Sequence, residues 1–207
     1  MSLPSVRRSH GGGALVLLLD VMDTLVRDPF YEDVPRFFGM SLAEVLAQKD
    51  PSAWPRFERG EIDEGTMLRA FFADGRAFDH DAFCEAVRDG YAFLPGIEAL
   101  LEELAEARVP MFALSNYPCW SAWIEARLGL GRFLDWRFVS WRTGVRKPDP
   151  EAFRGPVNAL GVAPEACLFV DDRESNCVAA RNEGLEAHRF VDAPTLREAL
   201  VARGVLR

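Results

Sequence analysis

The most regular pattern along the chain is a series of short apolar runs that are bounded by turn-forming or polar residues. Each run has the length of a buried strand rather than of a helix. The runs predict five strands, at residues 14–19, 109–114, 136–140, 167–170 and 186–191. The first of them, ALVLLLD, is apolar at every position until it meets an aspartate, which is typical of a strand that is covered on both faces.

Amphipathic stretches alternate with the later runs. In PGIEALLEELAEA, the side chains of Ile97, Leu100, Leu101 and Leu104 share one face, and Pro95 marks the start of a predicted helix. Strands that alternate with helices favour a parallel, doubly wound sheet. The predicted fold class is therefore α/β.

Residues 29–91 break this alternation, because they contain several helical patterns and no strand pattern. One of these patterns, SLAEVLAQK, opens with Ser41 and Glu44 at the spacing of a capping box. We therefore expect a flexible N-terminal tail at 1–13, a core at 14–28 and 92–207, and a small all-helical cap domain at 29–91.

Composition and charge narrow the classes of partner. The formal net charge is −8, so long-range attraction to nucleic acid or to an anionic membrane is not expected. No apolar run approaches the roughly 20 residues that cross a bilayer. The four cysteines form no CxxC pair, which favours reduced packing residues and a cytoplasmic protein.

Polar residues with chemical potential follow the predicted strands. Because ligands of parallel sheets sit beyond the carboxyl ends of the strands, these residues should face one crevice. They are Asp20, Ser115, Asn116, Lys147, Asp171, Asp172 and Asn176. Two carboxylates about 4 Å apart repel by roughly 4 kcal/mol at an effective dielectric near 20, which a hard cation such as Mg²⁺ relieves.

The ordered set DVMDTLV, LSN, the lysine of RKPDP, and FVDDRESN resembles the four motifs of the haloacid dehalogenase superfamily of hydrolases. FERGEIDEGTM is similar to a stretch common in the helical caps of that family. The resemblance spans almost the whole chain. It implies a Rossmann-like core, a mobile helical cap and catalysis through an aspartyl-enzyme intermediate.

Residue roles follow from the same resemblance. It implies that Asp20 is the nucleophile, and that Mg²⁺ is held by Asp20, by the backbone carbonyl of Met22 and by Asp172. Ser115 and Lys147 would bind the transferring phosphoryl oxygens.

The resemblance also implies supporting roles. Asn116 would line the substrate pocket, and Asp171 would support Asp172 or Lys147. Thr24 and Asn176 would brace the loops.

One position departs from the family pattern. Phosphatase members usually carry an acid/base aspartate two residues after the nucleophile, where this chain has Met22. Asp23 stands where the family often has glycine, and its side chain should leave the turn at a different angle. A positioned acid/base group typically contributes about 10² to 10⁴ in rate.

Three functions remain open at this point. The first is a Mg²⁺-dependent phosphatase for a small phosphorylated or otherwise anionic molecule, slowed by Met22 or suited to good leaving groups. The second is a 2-haloacid dehalogenase, which needs no leaving-group acid and no metal. The third is a catalytically weak homologue that binds a cation and phosphate. The sequence predicts neither the organic part of the substrate nor the oligomeric state.

Overall fold

A computed structural model of the protein describes residues 15–207, so the predicted tail at 1–13 lies outside the described residues. Within these residues, parallel strands form a sheet in the order β2-β1-β3-β4. The strands are β1 Val16–Leu19, β2 Met111–Ala113, β3 Cys167–Asp171 and β4 Glu186–Arg189. The prediction of an α/β fold with a parallel sheet is confirmed.

Strand β1 is buried along its whole length. Because successive side chains of a strand point to opposite faces, Leu17 and Leu19 join one hydrophobic cluster, and Val16 and Leu18 join the other. Each buried side chain of this size contributes about 1.5–3 kcal/mol. A strand that is covered on both faces has no polar position to offer, which explains the continuous apolar run before Asp20.

Helices α1 to α5 precede the core helices in the chain. The described segment that contains them has no strand of the sheet. They are α1 Asp33–Phe38, α2 Leu42–Gln48, α3 Ala53–Glu58, α4 Glu64–Arg69 and α5 His80–Gly90. The predicted capping box is present, since Ser41 and Glu44 bond each other's backbone N–H groups at the start of α2. The boundaries of a separate cap domain at 29–91 stay a prediction.

The core helices follow and alternate with the strands as expected. They are α6 Ile97–Glu106, α7 Ser121–Leu128, α8 Ser140–Thr143, α9 Glu151–Leu160, α10 Glu174–Asn182 and α11 Ala193–Ala202. All four predicted apolar positions of α6 are buried. The helix begins at Ile97 rather than at Pro95, because Gly96 adopts a left-handed φ of 79°. No helix in the range 15–207 is long and apolar enough to cross a bilayer.

The helices α1 to α5 pack around a cluster of aromatic side chains and onto the core. The ring of Phe38, for example, contacts five other rings, those of Phe37, Phe71, Phe72, Phe78 and Phe83. Polar contacts add to this packing: the Ser140 hydroxyl donates to the carbonyl of Glu58 at 2.6 Å. The aromatic residues of this segment therefore mostly belong to the hydrophobic core.

The predicted strand at 136–140 is wrong. Of the residues in this region, Asp135 alone pairs with β2. The Ala113 N–H donates to the Asp135 carbonyl, and the Asp135 N–H donates to the Met111 carbonyl. The Asp135 carboxylate then accepts from the Arg137 N–H at 2.9 Å, which turns the chain away, and α8 begins at Ser140.

Candidate active site

The register of the sheet brings the predicted site residues to one edge. Leu19 pairs with Ala113 on one side and with Val170 on the other. The Asp20 N–H continues this ladder by donating to the Val170 carbonyl at 2.9 Å. Asp20 therefore lies beside the ends of both neighbouring strands.

The Lys147 ammonium lies between two buried carboxylates at this edge. Its Nζ is 2.9 Å from Asp20 Oδ1 and 2.6 Å from Asp171 Oδ2. All three residues are buried. Lys147 comes from the loop between α8 and α9, so a distant part of the chain supplies the positive charge that the two strand ends need.

Asp171 is fully occupied by hydrogen-bond donors. Its carboxylate accepts from the Asn176 side-chain amide at 3.0 and 3.1 Å and from the Arg173 N–H at 2.8 Å, in addition to the Lys147 ammonium. A carboxylate that is held in this way orients Lys147 and has little freedom to leave the β3 end.

Asn116 fixes the loop that carries Lys147. Its side-chain oxygen accepts from the Lys147 N–H at 2.7 Å, and its side-chain nitrogen donates to the Lys147 carbonyl at 2.8 Å. The peptide bond between Lys147 and Pro148 is cis. The reciprocal pair of bonds positions the lysine backbone, so Asn116 has a structural task here besides facing the cavity.

Thr24 joins the first and fourth motifs. It is fully buried, and its hydroxyl accepts from the Asp172 N–H at 3.2 Å. This bond connects two distant parts of the chain and holds Asp172 against the loop after β1.

Met22 and Asp23 form the turn after Asp20. Asp23 has a left-handed φ of 55°, the backbone region that glycine adopts most readily and that aspartate tolerates better than most residues. Its Oδ1 accepts from the Asp28 N–H at 3.0 Å. The Asp23 carboxylate is thus drawn toward the end of this loop, in agreement with the expectation that it leaves the turn at its own angle.

Ser115 is buried, and its hydroxyl has no hydrogen-bond partner among the residues that the structure describes. It lines an apolar cavity of about 270 Å³. Asn116 and Lys147 line both this cavity and a second cavity, which Asp20 also lines. An unpartnered buried hydroxyl is costly, which is consistent with a ligand-binding role. The structure does not bring this hydroxyl into contact with Asp20.

The electrostatics of the site are those of a crowded, poorly hydrated anionic centre. Burial raises the pKa of Asp20 to about 7; the Lys147 charge opposes this shift and the Asp171 charge adds to it. Burial alone would lower the pKa of Lys147, but the Asp20 and Asp171 carboxylates together raise it. Lys147 therefore stays charged, and any further cation near Asp20 would favour its ionised form.

Asp20, Asp171 and Asp172 each offer a carboxylate oxygen, and these oxygens lie within 4.8 Å of one another. Hard oxygen donors at this spacing fit a divalent cation such as Mg²⁺, which prefers one or two carboxylates and keeps several waters. Burial, and then the neighbouring Asp171 charge, raise the pKa of Asp172. The donor set therefore fits the predicted metal.

The cavity lined by Asp20 and Met22 has a volume of about 400 Å³. Its lining combines carboxylates with aromatic and apolar side chains of the loop after β1, of α2, of α3 and of the segment between these two helices. Those side chains are Phe30, Tyr31, Leu46, Pro51, Trp54 and Pro55.

Five further charged residues that were not predicted from the sequence line this cavity, among them Lys49. Glu58 pairs with Arg146, whose Nε is 2.5 Å from Glu58 Oε2, and accepts from the Trp54 indole N–H at 2.8 Å. Asp28 and Arg173 also line the cavity. The proximity of Arg146 to Lys147 and of Arg173 to Asp172 in the chain is the signal that could have identified the two arginines.

The fold and the site together define the class of the protein. A sequence model described as haloacid dehalogenase-like hydrolase matches residues 17–184. The chain belongs to this family of hydrolases, as the order of its four motifs indicated.

Among curated proteins, the chain is similar to flavin mononucleotide hydrolase 1 of Arabidopsis thaliana, whose name places it in the chloroplast. The two are 45% identical over 190 residues, which cover 92% of this chain and 78% of the relative. A phosphatase of Mycobacterium tuberculosis is 29% identical over 189 residues, covering 82% of each chain.

Solved structures support the fold. A family enzyme from Bacteroides thetaiotaomicron, crystallised with magnesium and inorganic phosphate, aligns with a TM-score of 0.70 at 19% identity and covers 89% of this chain and 99% of its own. L-2-haloacid dehalogenase from Xanthobacter autotrophicus aligns with a TM-score of 0.62 at 21% identity, covering 90% and 82%. At these identities the likeness shows the fold alone.

Proposed function

We propose that the protein is a Mg²⁺-dependent phosphatase that hydrolyses a phosphate monoester of a small molecule through an aspartyl-phosphate intermediate. The observation that carries this proposal is the contact of one buried ammonium, Lys147 Nζ, with both Asp20 and Asp171, while the Asp172 carboxylate lies close by. A dehalogenase site has no need of a third carboxylate without a cation to balance it.

In the proposed reaction, an Asp20 carboxylate oxygen attacks phosphorus. Lys147 favours the ionised form of Asp20 and would face the negative charge that develops on the phosphoryl oxygens. Ser115 would donate its free hydroxyl to one of those oxygens. Asn116 keeps Lys147 in place through its two bonds to the lysine backbone. The Thr24 contact holds the β3 end against the nucleophile loop, and the Asn176 contact fixes the Asp171 carboxylate.

Three groups would hold the metal: the carboxylates of Asp20 and Asp172 and the backbone carbonyl of Met22. When bound, Mg²⁺ neutralises part of the negative charge that the phosphoryl group and the carboxylates bring together. Asp171 remains bonded to Lys147 and Asn176, so we assign it to positioning rather than to the metal.

The substrate that best fits the cavity has a phosphate at one end and a flat, largely apolar group at the other. The aromatic side chains of Phe30, Tyr31 and Trp54 line the same cavity as Asp20. Flavin mononucleotide has this chemistry, and the name of the relative at 45% identity makes it the first candidate.

We also propose that residues 29–91 act as the substrate-specifying cap, because α2 and α3 supply much of the cavity wall. A cytoplasmic location stays a prediction, and the Arabidopsis relative has a chloroplast name.

The test compares flavin mononucleotide, p-nitrophenyl phosphate and 2-chloropropionate, each with Mg²⁺ or with a chelator. Phosphate release from the two esters that stops with chelator is the expected result. Halide release that survives chelator would instead establish the dehalogenase, and no turnover in the whole panel would establish a binding protein.

A further inference from the structure

Asp28 lines the same cavity as Asp20, and the proposed reaction does not use it. Asp28 stands before a short 3-10 turn, Pro29–Tyr31, and its Oδ1 accepts from the Phe30 N–H at 2.9 Å. Its own N–H donates to Asp23 Oδ1. Two backbone-directed bonds therefore hold this carboxyl at the end of the nucleophile loop.

The second oxygen of Asp28 is free. Oδ2 accepts no hydrogen bond and forms no ion pair with any residue in the range 15–207. A carboxyl that caps a turn with one oxygen and offers the other to a cavity can carry a proton there without losing its structural bond.

Of the other cavity carboxylates outside the predicted metal set, Glu58 is less free, since it has one oxygen on the Trp54 indole and the other 2.5 Å from Arg146 Nε. Asp23 also has one oxygen without a hydrogen bond among residues 15–207, but its Oδ1 accepts from the Asp28 N–H and so holds the backbone of Asp28.

We propose that Asp28 is the proton donor and acceptor that Met22 does not supply. This inference rests on the proposed phosphatase function. Asp20 forms a bond to phosphorus as the bond from phosphorus to the ester oxygen breaks, and the protonated Asp28 gives its proton to that departing oxygen. Asp28, now ionised, takes a proton from water as the water oxygen attacks phosphorus. The bond to Asp20 breaks, phosphate leaves, and Asp28 is protonated again.

The surroundings of Asp28 suit this task. Burial raises the pKa of Asp28 to about 6, close to the value that lets one group both donate and accept near neutral pH. The charged and titratable side chains that influence it, or that it influences, are Asp23, Tyr31, Lys49, Glu58, Tyr91, Tyr117 and Arg173. Asp23 and Glu58 raise the pKa further, and Arg173 lowers it.

The test uses Asp28→Asn, because asparagine keeps the bond to the Phe30 N–H and removes only the proton. The matched control is Asp79→Asn, another capping aspartate, which bonds the Ala82 N–H at the start of α5 outside this cavity. Both variants and the wild type are assayed with glycerol phosphate, whose leaving group needs protonation, and with p-nitrophenyl phosphate, whose leaving group does not.

For Asp28→Asn, we expect kcat/KM on glycerol phosphate to fall by about 10² to 10³, with less than a tenfold fall on p-nitrophenyl phosphate. The aspartyl-phosphate should also accumulate, because its hydrolysis has lost the base. A burst of nitrophenolate equal to the enzyme concentration should therefore precede a slow steady state. A merely structural role produces neither signature.

In the wild type, kcat/KM on glycerol phosphate should fall as the pH rises above about 6. This fall should be absent with p-nitrophenyl phosphate.

A double variant with Met22→Asp should recover activity on glycerol phosphate, because it returns a carboxyl to the family position. Equal losses on both esters without a burst would overturn the proposal, as would unchanged kinetics. It would also be overturned if Asp23→Asn gave the burst and Asp28→Asn did not. A wild-type protein that is inactive on both esters would contradict the phosphatase function itself, and the inference with it.

Discussion

Replacing Lys147 with methionine removes the central charge of the site and keeps most of the side-chain volume. At an effective dielectric near 20, a charge pair at the 2.9 Å between Nζ and Asp20 Oδ1 gains about 6 kcal/mol. The pair with Asp171 is shorter, at 2.6 Å. Desolvation of the buried ions offsets much of this gain, so we expect Lys147→Met to lower the free energy of unfolding by about 3–5 kcal/mol.

The loss should depend on pH in a defined direction. The pKa of Asp20 is raised to about 7, and without Lys147 it rises further. A group with a raised folded-state pKa contributes stability that is lost as pH rises through that pKa. The penalty of Lys147→Met should therefore be largest at about pH 8 and smaller at about pH 5, where Asp20 is protonated in both proteins.

Urea denaturation of the metal-free proteins at both pH values measures this effect. The control is Lys49→Met, which changes the only other lysine of the chain; its ammonium lies 4.8 Å from the centre of the Phe30 ring. Lys49 is half-buried, and a contact of this kind contributes about 0.5–2 kcal/mol. Mg²⁺ should stabilise the Lys147→Met variant more than the wild type, because in the variant the cation binds site carboxylates that have lost the Lys147 charge. A loss no larger than that of Lys49→Met at pH 8, or one independent of pH, would refute the reasoning.

Three further predictions concern activity and stability. Asp20→Asn should reduce phosphate release to background, measured with p-nitrophenyl phosphate, because an amide cannot form the acyl phosphate; turnover above background would exclude nucleophilic catalysis. Trp54→Ala should raise the KM for flavin mononucleotide about tenfold to a hundredfold, because an apolar part of the cavity lining is lost. Trp54→Phe should change this KM little, and Trp54→Ala should change the KM for glycerol phosphate little. Equal effects of Trp54→Ala on both substrates would contradict the proposed apolar wall. Because the pKa of Asp28 is raised from 3.8 to about 6, its ionisation costs the folded state stability as pH rises through that value. Asp28→Asn should therefore unfold at higher urea than wild type at about pH 8 and at similar urea at about pH 4, and the opposite order would show that the capping bond dominates.

The sequence predicted which strand-end residues lie close together better than it predicted some of the strands. Asp20, Asp171 and Asp172 follow short apolar runs, and parallel strands bring such positions to one edge regardless of their distance in the chain. The run at 136–140 has the same apolar character but is not a strand, because the Asp135 side chain bonds the Arg137 N–H and turns the chain. A local side-chain bond of this kind competes with the ladder and is not visible in hydrophobic periodicity.

The residues that the sequence missed are those that meet the site from other elements. Asp28 precedes Pro29, and an aspartate followed by a proline indicates a turn, so the capping role of Asp28 could have been predicted from the sequence. Its presence in the cavity depends on how the loop after β1 returns over the sheet. Glu58 and Arg146 are far apart in the chain, and only the packing of α3 against the loop before Lys147 joins them.

The most direct test of the central claim is to trap the covalent intermediate on Asp20. The protein is mixed with Mg²⁺ and p-nitrophenyl phosphate, quenched in acid within a turnover, reduced with borohydride and digested for mass spectrometry. An acyl phosphate at position 20 is reduced to homoserine, and we expect that residue in the peptide that begins after Arg8 and contains the first strand. Continuing phosphate release with unmodified Asp20 at every quench time would contradict the account.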